Sequence, residues 1–587
     1  MPVPRRCLRL FASAALLHLS LLPPSGAQTV VPGNRSTAHG SALTAGELRA
    51  TQAFNAARAL GKPELYAFLK PMPKGGELHM HLSGAVYAET FIAEAAKQGL
   101  CVAPVEHGTP AVPQQPEAVR LVKPTDGKPG ECGAGQVPAA DALKRQPLYD
   151  DLIDSFSMRS FVPTEGISGH DQFFATFDRF SGLKAFEGEW LDEVATRAAA
   201  QNEQYLEIMN TPTFSHAAAL GYKLGWNYDV DHDTHMQSFD KLRDQLLAAG
   251  LRDEVATDRR EFADALASRS RSESCSEEQE ALDHKSGQAS LHGQDPAALQ
   301  YSPNFVSTAC SVQIRFLYQI LRGFPPQQVF AQTLLGFEVA QAELESGNPL
   351  VVGLNFVMPE DGRVSMQDYH LQMLMLDYLH SVYPRVHISL HAGELAFGMV
   401  PPNGLSFHIR EAIELGHAER IGHGMDVLYE DHPNDLLAEM AAKHIGVEVN
   451  LTSNDVILGE NRTDHPLAAY RAAHVPIALS TDDEGVSRID LTHEYVKAAE
   501  EQNLTYVDLK RSARATLEHS FMPGEDLWTD PDVYAHMNGN CSLPNTTTPT
   551  SMRPGSPACL AFLQNNHRAA MQWELERRFA EFEAHAR

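Results

Sequence analysis

From residue 310 onwards the chain alternates between short apolar runs and longer amphipathic stretches. A short apolar run predicts a buried strand, and stretches such as MQDYHLQMLMLDYLHSVY and HPNDLLAEMAAKH have the length and spacing of helices. Because parallel neighbours require a crossover connection, this alternation predicts a parallel sheet covered by helices. The apolar runs are CSVQIRFLYQIL, LVVGLNFV, VHISLHAGE, RIGHGMDV, IGVEVNLTSND and PIALSTDDEG.

Two earlier runs bring the number of predicted strands to eight: GGELHMHLSG at residues 75–84 and YLEIMN at residues 205–210. Eight strand–helix units close into a (β/α)8 barrel, and we therefore predict an α/β fold of the TIM-barrel type with inserted loops. A doubly wound open sheet is the alternative architecture. Residues 101–147, rich in Pro, Gly and Gln, and the polar, partly helical residues 251–303 are predicted insertions, and a helical tail ends the chain.

The first residues have the composition of an export signal. A basic start with Arg5 and Arg6 precedes the apolar run LFASAALLHLSLL, and small residues suited to cleavage follow up to Ala27. The apolar run is too short for a typical membrane span. We predict a signal peptide over residues 1–27, a disordered segment over 28–45 and the barrel over 46–587. A buried N-terminal helix is the alternative interpretation of the first segment.

The cysteines agree with a secreted or periplasmic location. Cys7 leaves with the predicted signal peptide, and the six that remain form sequence-local pairs in loop-like stretches. Disulfides are typical of exported proteins, whereas buried free thiols are the alternative. The predicted pairs are Cys101–Cys132, Cys275–Cys310 and Cys541–Cys559.

Polar side chains follow the predicted strands at the points where the strands end. His79 and His81 lie two positions apart, so both side chains face the same side of one strand. In a (β/α)8 barrel, residues at the carboxyl ends of the strands form the active site. Three histidines and a carboxylate suit Zn²⁺ with a water completing the shell. The other strand-end residues are His391, Glu394, His423, Asp482 and Asp483.

The motifs PKGGELHMHLSG, VVGLNF, LHAGE, RIGHG and STDDEG together resemble the adenosine deaminase family of the amidohydrolase superfamily. The resemblance extends from about Leu65 to Arg488 and keeps the family's motif order. The export signal, the MPKGG segment and the disulfide-bearing insertion are similar to the secreted, growth-factor-type branch of that family. The resemblance implies a metal-dependent deaminase barrel.

By matching motif, the resemblance implies one Zn²⁺ per chain and a purine nucleoside as the small-molecule substrate. It assigns the metal ligands as His79, His81, His391 and Asp482. It assigns the catalytic groups as Glu394, which delivers a proton to purine N1, His423, which acts on the metal-bound water, and Asp483, which contacts N7. It places His81, Ser83, Gly353 and Asp483 against the substrate, with the Gly353 N–H at N3.

The implied reaction converts adenosine, and with it 2′-deoxyadenosine, into inosine and ammonia. Proton donation to N1 makes C6 electrophilic enough for attack by water. Ser83 stands where many family members carry an acidic residue that reaches the ribose 5′-hydroxyl. Adenine or an N6-modified adenine nucleoside is therefore an alternative substrate.

A non-catalytic extracellular binding protein is the alternative from another class of function. The net charge of −28, from 47 basic and 75 acidic residues, argues against nucleic acid or an anionic membrane surface as the main partner. The sequence does not predict an oligomeric state.

Overall fold

Eight parallel strands, neighbours in sequence order, form the centre of the structure. The structure is a computed structural model, and it describes residues 43–105, 118–164, 166–226, 235–272, 309–539, 541–542 and 554–587. The barrel strands are β1 and β5 to β11, and a small antiparallel sheet in the order β3-β2-β4 lies between β1 and β5 in sequence. In chain order the strands are β1 (Gly75–His81), β2 (Cys101–Pro104), β3 (Val119–Val122), β4 (Val137–Pro138), β5 (Glu203–Asn210), β6 (Gln313–Leu321), β7 (Val351–Val357), β8 (His387–Ala392), β9 (Arg420–His423), β10 (Gly446–Val449) and β11 (Ile477–Leu479).

The barrel closes between β1 and the residues that follow β11. Met80 pairs in parallel with Asp482, and the His81 N–H donates to the Asp482 carbonyl at 3.1 Å. The buried Glu77 carboxylate adds a second link, because it accepts the Thr481 N–H at 2.6 Å. These contacts exclude the open doubly wound sheet and confirm the predicted (β/α)8 barrel. All eight predicted strands are present.

Helices cover the outside of the barrel and connect its strands. In chain order they are α1 (Ala45–Leu60), α2 (Lys62–Leu69), α3 (Leu82–Ala85), α4 (Ala88–Gln98), α5 (Gln146–Phe156), α6 (Gly169–Phe180), α7 (Glu187–Ala200), α8 (Ser215–Leu224), α9 (His235–Ala248), α10 (Arg252–Ser272), α11 (Pro326–Ser346), α12 (Arg363–Val382), α13 (His408–Glu414), α14 (Pro433–Ala442), α15 (Leu451–Ser453), α16 (Leu467–Ala472), α17 (Glu484–Ser487), α18 (Leu491–Glu501), α19 (Tyr506–Glu518), α20 (Pro557–Asn565) and α21 (His567–His585). None of these described helices combines the length and apolar content that a membrane span requires.

Helix α19 shows how the sequence specifies one of these elements. Thr505 caps its N-terminus by accepting the Asp508 N–H, and the Asp508 side chain accepts the Thr505 N–H in return. This reciprocal capping satisfies N–H groups that have no partner within the helix. The buried face includes Leu509 and Ala513, and the helix packs on β1 and β11. It therefore supports the point at which the barrel closes.

Phe521 fills the amino-terminal end of the barrel. Its ring stacks on His387, the first residue of β8, with centroids 4.7 Å apart. The guanidinium of Arg420, the first residue of β9, lies 3.8 Å from the same ring. Because this end is filled, the opposite, carboxyl-terminal end is the one at which polar strand-end residues can meet a ligand.

The predicted insertions contain regular structure where the structure describes them. Residues 101–147 include the small β3-β2-β4 sheet and the predicted disulfide Cys101–Cys132, and the predicted disulfide Cys541–Cys559 joins the C-terminal tail. In the second insertion, α10 packs on α7 and α11. Cys275 lies outside the described residues, so the Cys275–Cys310 pairing stays a prediction. The predicted signal peptide and most of the predicted disordered segment also lie outside them.

Candidate active site

Side chains from distant parts of the chain meet at the carboxyl-terminal end of the barrel. The Nε2 atoms of His81 and His391 lie 3.2 Å apart. The Oδ1 atom of Asp482 lies 3.3 Å from Nε2 of His79 and 3.2 Å from Nε2 of His81. His423 is fully buried beside them, and its ring centroid is 4.9 Å from that of His79. The structure thus brings together residues from β1, β8, β9 and the end of β11.

The backbone at two of these positions is in an uncommon conformation. His423 and Asp482 have φ angles of 66° and 64°, in the left-handed region that non-glycine residues rarely adopt. Strained backbone of this kind concentrates at functional sites. Gly422 gives His79 room, because a Cβ at that position would lie 2.5 Å from the His79 ring.

Each of the three histidines next to Asp482 is oriented by an oxygen atom behind it. An Nδ1 atom that faces an oxygen carries the hydrogen, which leaves the Nε2 lone pair directed into the site. Ser453 completes the arrangement by donating its hydroxyl to Asp482 Oδ2 at 2.7 Å. The Nδ1 contacts are His79 to Glu448 at 2.6 Å, His81 to Gln319 at 2.8 Å and His391 to Asn355 at 2.7 Å.

These atoms fit a divalent metal ion. His79 Nε2 and Asp482 Oδ1 are buried and have no hydrogen-bond partner among the described residues. Four ligands around Zn²⁺ at about 2.0–2.1 Å are separated from one another by about 3.3 Å, which is close to the spacings of 3.2–3.3 Å observed here. His423 also has a ring nitrogen within 4.8 Å of the ligand atoms of His79, His391 and Asp482.

Two carboxyl groups beside the candidate ligand atoms are buried, and their pKa values are raised, which favours their neutral forms. Burial, and then the charge of Asp482, raise the pKa of Glu394 well above its usual range. The same two causes raise the pKa of Asp483 to about 8. Glu394 Oε1 lies 3.8 Å from His423 Nε2. Gly84 makes room for Asp483, because a Cβ on Gly84 would lie 1.4 Å from Asp483 Oδ1.

Glu360 holds the turn that carries Glu394. Its carboxylate accepts the backbone N–H groups of Gly393 at 3.0 Å and Glu394 at 2.7 Å, and the His408 ring bonds to it from the other side. Burial alone would raise the pKa of Glu360, but the charges of His408 and Arg322 lower it to about 2. The ionised carboxylate therefore fixes the position of Glu394 through two charge-assisted hydrogen bonds.

The structure does not bring Gly353 to this group. Gly353 is the third residue of β7 and pairs with His387 at the start of β8, near the filled end of the barrel. A Cβ at this position would meet the Phe521 ring at 2.8 Å, so close packing accounts for the glycine. The position of Gly353 therefore argues against the expected contact between its N–H and purine N3. Ser83 lies in α3 directly after β1 and is partly exposed.

Sequence reasoning missed the residues that orient the ligands. Glu448, Gln319 and Asn355 are polar residues inside predicted strands, and this position was the only signal that distinguished them. Arg420 and Glu207 extend the network below the site: Arg420 donates to Glu448 at 2.5 Å and to Glu207 at 2.8 Å. All five residues belong to the barrel strands. Glu448, Gln319 and Asn355 each contact one ligand histidine, and Arg420 and Glu207 are connected to His79 through Glu448.

Comparison with known proteins agrees with this geometry. Residues 307–527, which include β6 to β11 and both aspartates, match the family model described as adenosine deaminase. Over these residues the chain is similar to the adenosine deaminase family. Adenosine deaminase from Clostridium perfringens (strain 13 / Type A) is 33% identical over 139 residues, and that from Escherichia coli O1:K1 / APEC is 36% identical over 141 residues.

The similarity to these relatives is partial. Each alignment covers 24% of this chain, which spans 39% of the length of the curated relatives it matches. A crystal structure of Arabidopsis ADAL complexed with GMP is 19% identical, with a TM-score of 0.43, and the match covers 78% of this chain and 94% of that chain. Membership of the secreted, growth-factor-type branch stays a prediction.

Proposed function

We propose that the chain is a metal-dependent hydrolase that converts adenosine, and with it 2′-deoxyadenosine, into inosine and ammonia. The observation that carries the proposal is the meeting of three oriented Nε2 atoms and one orphaned carboxylate oxygen beside a buried glutamic acid. The family match supports the same reaction class. One water is consumed and one ammonia is released for each substrate.

We assign the metal site to one Zn²⁺ held by His79, His81, His391 and Asp482. Zinc in such a site supplies a water that ionises near neutral pH. The chain's own contribution is to orient the ligands: Glu448, Gln319 and Asn355 each hold one imidazole by its Nδ1–H.

Glu394 is the proton donor in this proposal. Burial and the charge of Asp482 raise its pKa and so favour the protonated carboxyl, which can donate to purine N1 and make C6 electrophilic. Asp483, whose pKa is raised to about 8 by burial and the charge of Asp482, can in its protonated form donate to the N7 acceptor. His423, whose Nε2 lies 3.8 Å from Glu394 Oε1, orients the attacking water.

The identity of the sugar is the open part of the proposal, because Ser83 is a weaker partner for a ribose hydroxyl than a carboxylate. A panel of adenosine, 2′-deoxyadenosine, adenine and N6-methyladenosine, assayed with metal analysis of the same sample, tests it. We expect adenosine and its 2′-deoxy form to be turned over fastest. Equal turnover of free adenine would remove the ribose-binding claim, and a zinc-loaded sample without activity on any of them would favour a binding protein.

Two variants test the assigned roles. His391→Ala should lose metal and activity together, whereas His370→Ala, which removes a largely exposed histidine paired with Glu411, should lose neither. Glu394→Gln should keep zinc and lose turnover by orders of magnitude, because a carboxamide cannot deliver the N1 proton. Near-normal turnover in Glu394→Gln would refute the role of Glu394.

We also propose an oxidising location, secreted or periplasmic. The disulfides Cys101–Cys132 and Cys541–Cys559 support it, because such bonds persist mainly outside reducing compartments. Mass-spectrometric detection of a mature N-terminus near Gln28 on exported protein would support the proposal, and an uncleaved intracellular chain with free thiols would contradict it.

A further inference from the structure

His423 differs from the other three histidines of the site in what its Nδ1 atom faces. His79, His81 and His391 each direct Nδ1 to a side-chain oxygen. The Nδ1 atom of His423 instead lies 3.0 Å from the amide nitrogen of Asn454. An amide nitrogen can only donate, so Nδ1 must be the acceptor and the hydrogen of a neutral ring must be on Nε2.

The orientation of the Asn454 amide follows from its next neighbour, His465. The backbone N–H of Leu467 donates to His465 Nδ1 at 3.1 Å. Because a backbone N–H can only donate, Nδ1 must be the acceptor. His465 Nε2 therefore carries the hydrogen, and it faces Asn454 Oδ1 at 3.2 Å. Burial is the largest cause that lowers the pKa of His465 to about 3, so the ring has one hydrogen only. Asn454 is thus fixed with its nitrogen towards His423.

The backbone at Asn454 also has an uncommon conformation that is typical of functional sites. Asn454 begins a π-helical turn, Asn454–Leu458, and such turns occur mostly as single insertions, frequently at functional sites. Asn454 and His465 are both buried. On the other side of His423, Nε2 lies 3.5 Å from the amide nitrogen of Asn450. The Asn450 oxygen has no hydrogen-bond partner among the described residues, so this amide gains one by turning over to present its oxygen to an Nε2–H group.

We propose that His465 and Asn454 are positioning residues that hold neutral His423 with its hydrogen on Nε2. An Nε2–H group cannot ligate a metal, so His423 stays outside the ligand set although it is close enough to join it. The same hydrogen makes His423 a donor to the attacking water and prevents the neutral ring from accepting a proton at Nε2. This consequence rests on the proposed function, whereas the position of the hydrogen does not.

Nuclear magnetic resonance of the metal-free, full-length protein labelled with ¹⁵N-histidine measures the position of that hydrogen directly. The His423 signals are assigned by their absence in His423→Gln. We expect one-bond coupling to hydrogen at Nε2 and an unprotonated Nδ1. A hydrogen on Nδ1 of the wild-type ring would overturn the proposal. The measurement needs neither metal nor substrate, so its outcome is independent of whether the protein is a deaminase.

Two variants then test the positioning roles. Asn454→Asp replaces the donor by a carboxylate that only accepts, so the His423 hydrogen should be found on Nδ1. His465→Gln is the matched control, because its amide nitrogen can still donate to Asn454 Oδ1 and the hydrogen should stay on Nε2. A ring that keeps Nδ1 unprotonated in Asn454→Asp would refute the proposal. The wild-type spectrum decides it even where the aspartate variant does not fold.

Discussion

Glu448 connects the candidate metal site to the charged interior of the barrel, and its replacement by glutamine has consequences that can be worked out from the contacts. Its Oε2 atom holds His79 Nδ1 at 2.6 Å, and its Oε1 atom accepts Arg420 Nε–H at 2.5 Å and the Ser389 hydroxyl at 3.0 Å. Burial alone would raise the pKa of Glu448, but the charge of Arg420 and the contact with His79 lower it to about 2. The carboxylate is therefore ionised throughout the physiological range.

Glu448→Gln keeps the shape of the side chain and removes its charge. Of its two carboxylate partners, Arg420 then retains Glu207, at 2.8 Å, and it keeps its hydrogen bond to the His519 carbonyl at 2.9 Å. The side chains of Arg420, Glu207 and Glu448 are at most 1% exposed. Breaking a buried ion pair costs about 3–5 kcal/mol. Because glutamine can still accept one hydrogen bond, we expect the free energy of unfolding of the metal-free protein to fall by about 3 kcal/mol. Loss of the partner that orients a ligand should weaken zinc binding about 10–100-fold.

Denaturant unfolding of the metal-free protein and chelator competition for zinc measure the two effects separately. Glu439→Gln is the control, because Glu439 pairs at 2.7 Å with the half-exposed Lys443 four positions further on and at 3.7 Å with Arg410, and a solvent-exposed pair contributes only about 0.2–1 kcal/mol. We expect that variant to bind zinc normally. If Glu448→Gln unfolded like Glu439→Gln and kept its zinc affinity, the buried network would have no role in supporting His79.

Three further predictions concern other parts of the structure. Gly84→Ala should displace Asp483 and lower kcat/KM about 100-fold with zinc retained, as measured by steady-state kinetics and metal analysis. The pKa of Glu360 is lowered to about 2, so its contribution to the free energy of unfolding is complete above about pH 4.5 and is lost as the pH falls towards 2. Glu360→Gln should remove about 3 kcal/mol of this pH-dependent stability, as measured by denaturant unfolding at a series of pH values. Replacing Cys541 and Cys559 by serine should lower the free energy of unfolding by about 3 kcal/mol, because their bond closes a loop of 18 residues.

Each of these predictions has a result that contradicts it. Gly539→Ala, with no atom near the added methyl group, is the control for Gly84→Ala, and equal kinetics in both would show that Asp483 does not need its position. Glu414→Gln removes a half-exposed carboxylate and should leave the loss of stability at low pH unchanged. If Glu360→Gln lost stability at low pH in the same way, the assigned contribution of Glu360 would be refuted. Unchanged unfolding of the double serine variant under oxidising conditions would mean that the C-terminal disulfide contributes nothing.

The strands were predictable because the chain buries both of their faces. In β7, for example, all seven residues are buried, and the apolar run LVVGLNFV reports this directly. The positions of His79 and His81 were predictable for a related reason, since the two-residue repeat of a strand places both on one side. Local sequence was also sufficient for Cys101–Cys132, whose partners lie 31 positions apart.

Contacts that depend on strand register were not predictable. Glu448 meets His79 only because β9 and β10 are aligned so that Gly422, opposite Glu448, leaves space for the His79 ring. The expected role of Gly353 failed for the same reason. Its motif indicates a strand, but only the pairing with His387 shows that the glycine lies at the filled end of the barrel. The residue types of Glu448 and Gly353 are visible in the sequence, but the strand register determines which side chains they contact.

The metal-ligand candidates lie on both sides of the seam where the barrel closes. His79 and His81 belong to the first barrel strand, whereas Asp482 follows the last one, and the Met80–Asp482 bridge joins the two. A cation bound by all three would therefore cross-link the two ends of a very long loop. The longer the loop, the more conformational entropy of the unfolded chain such a cross-link removes. Binding free energy of this kind is also folding free energy. Closure of the barrel and assembly of the site are consequently one structural event, and a change that opens the seam, such as loss of the Glu77–Thr481 contact, must weaken both.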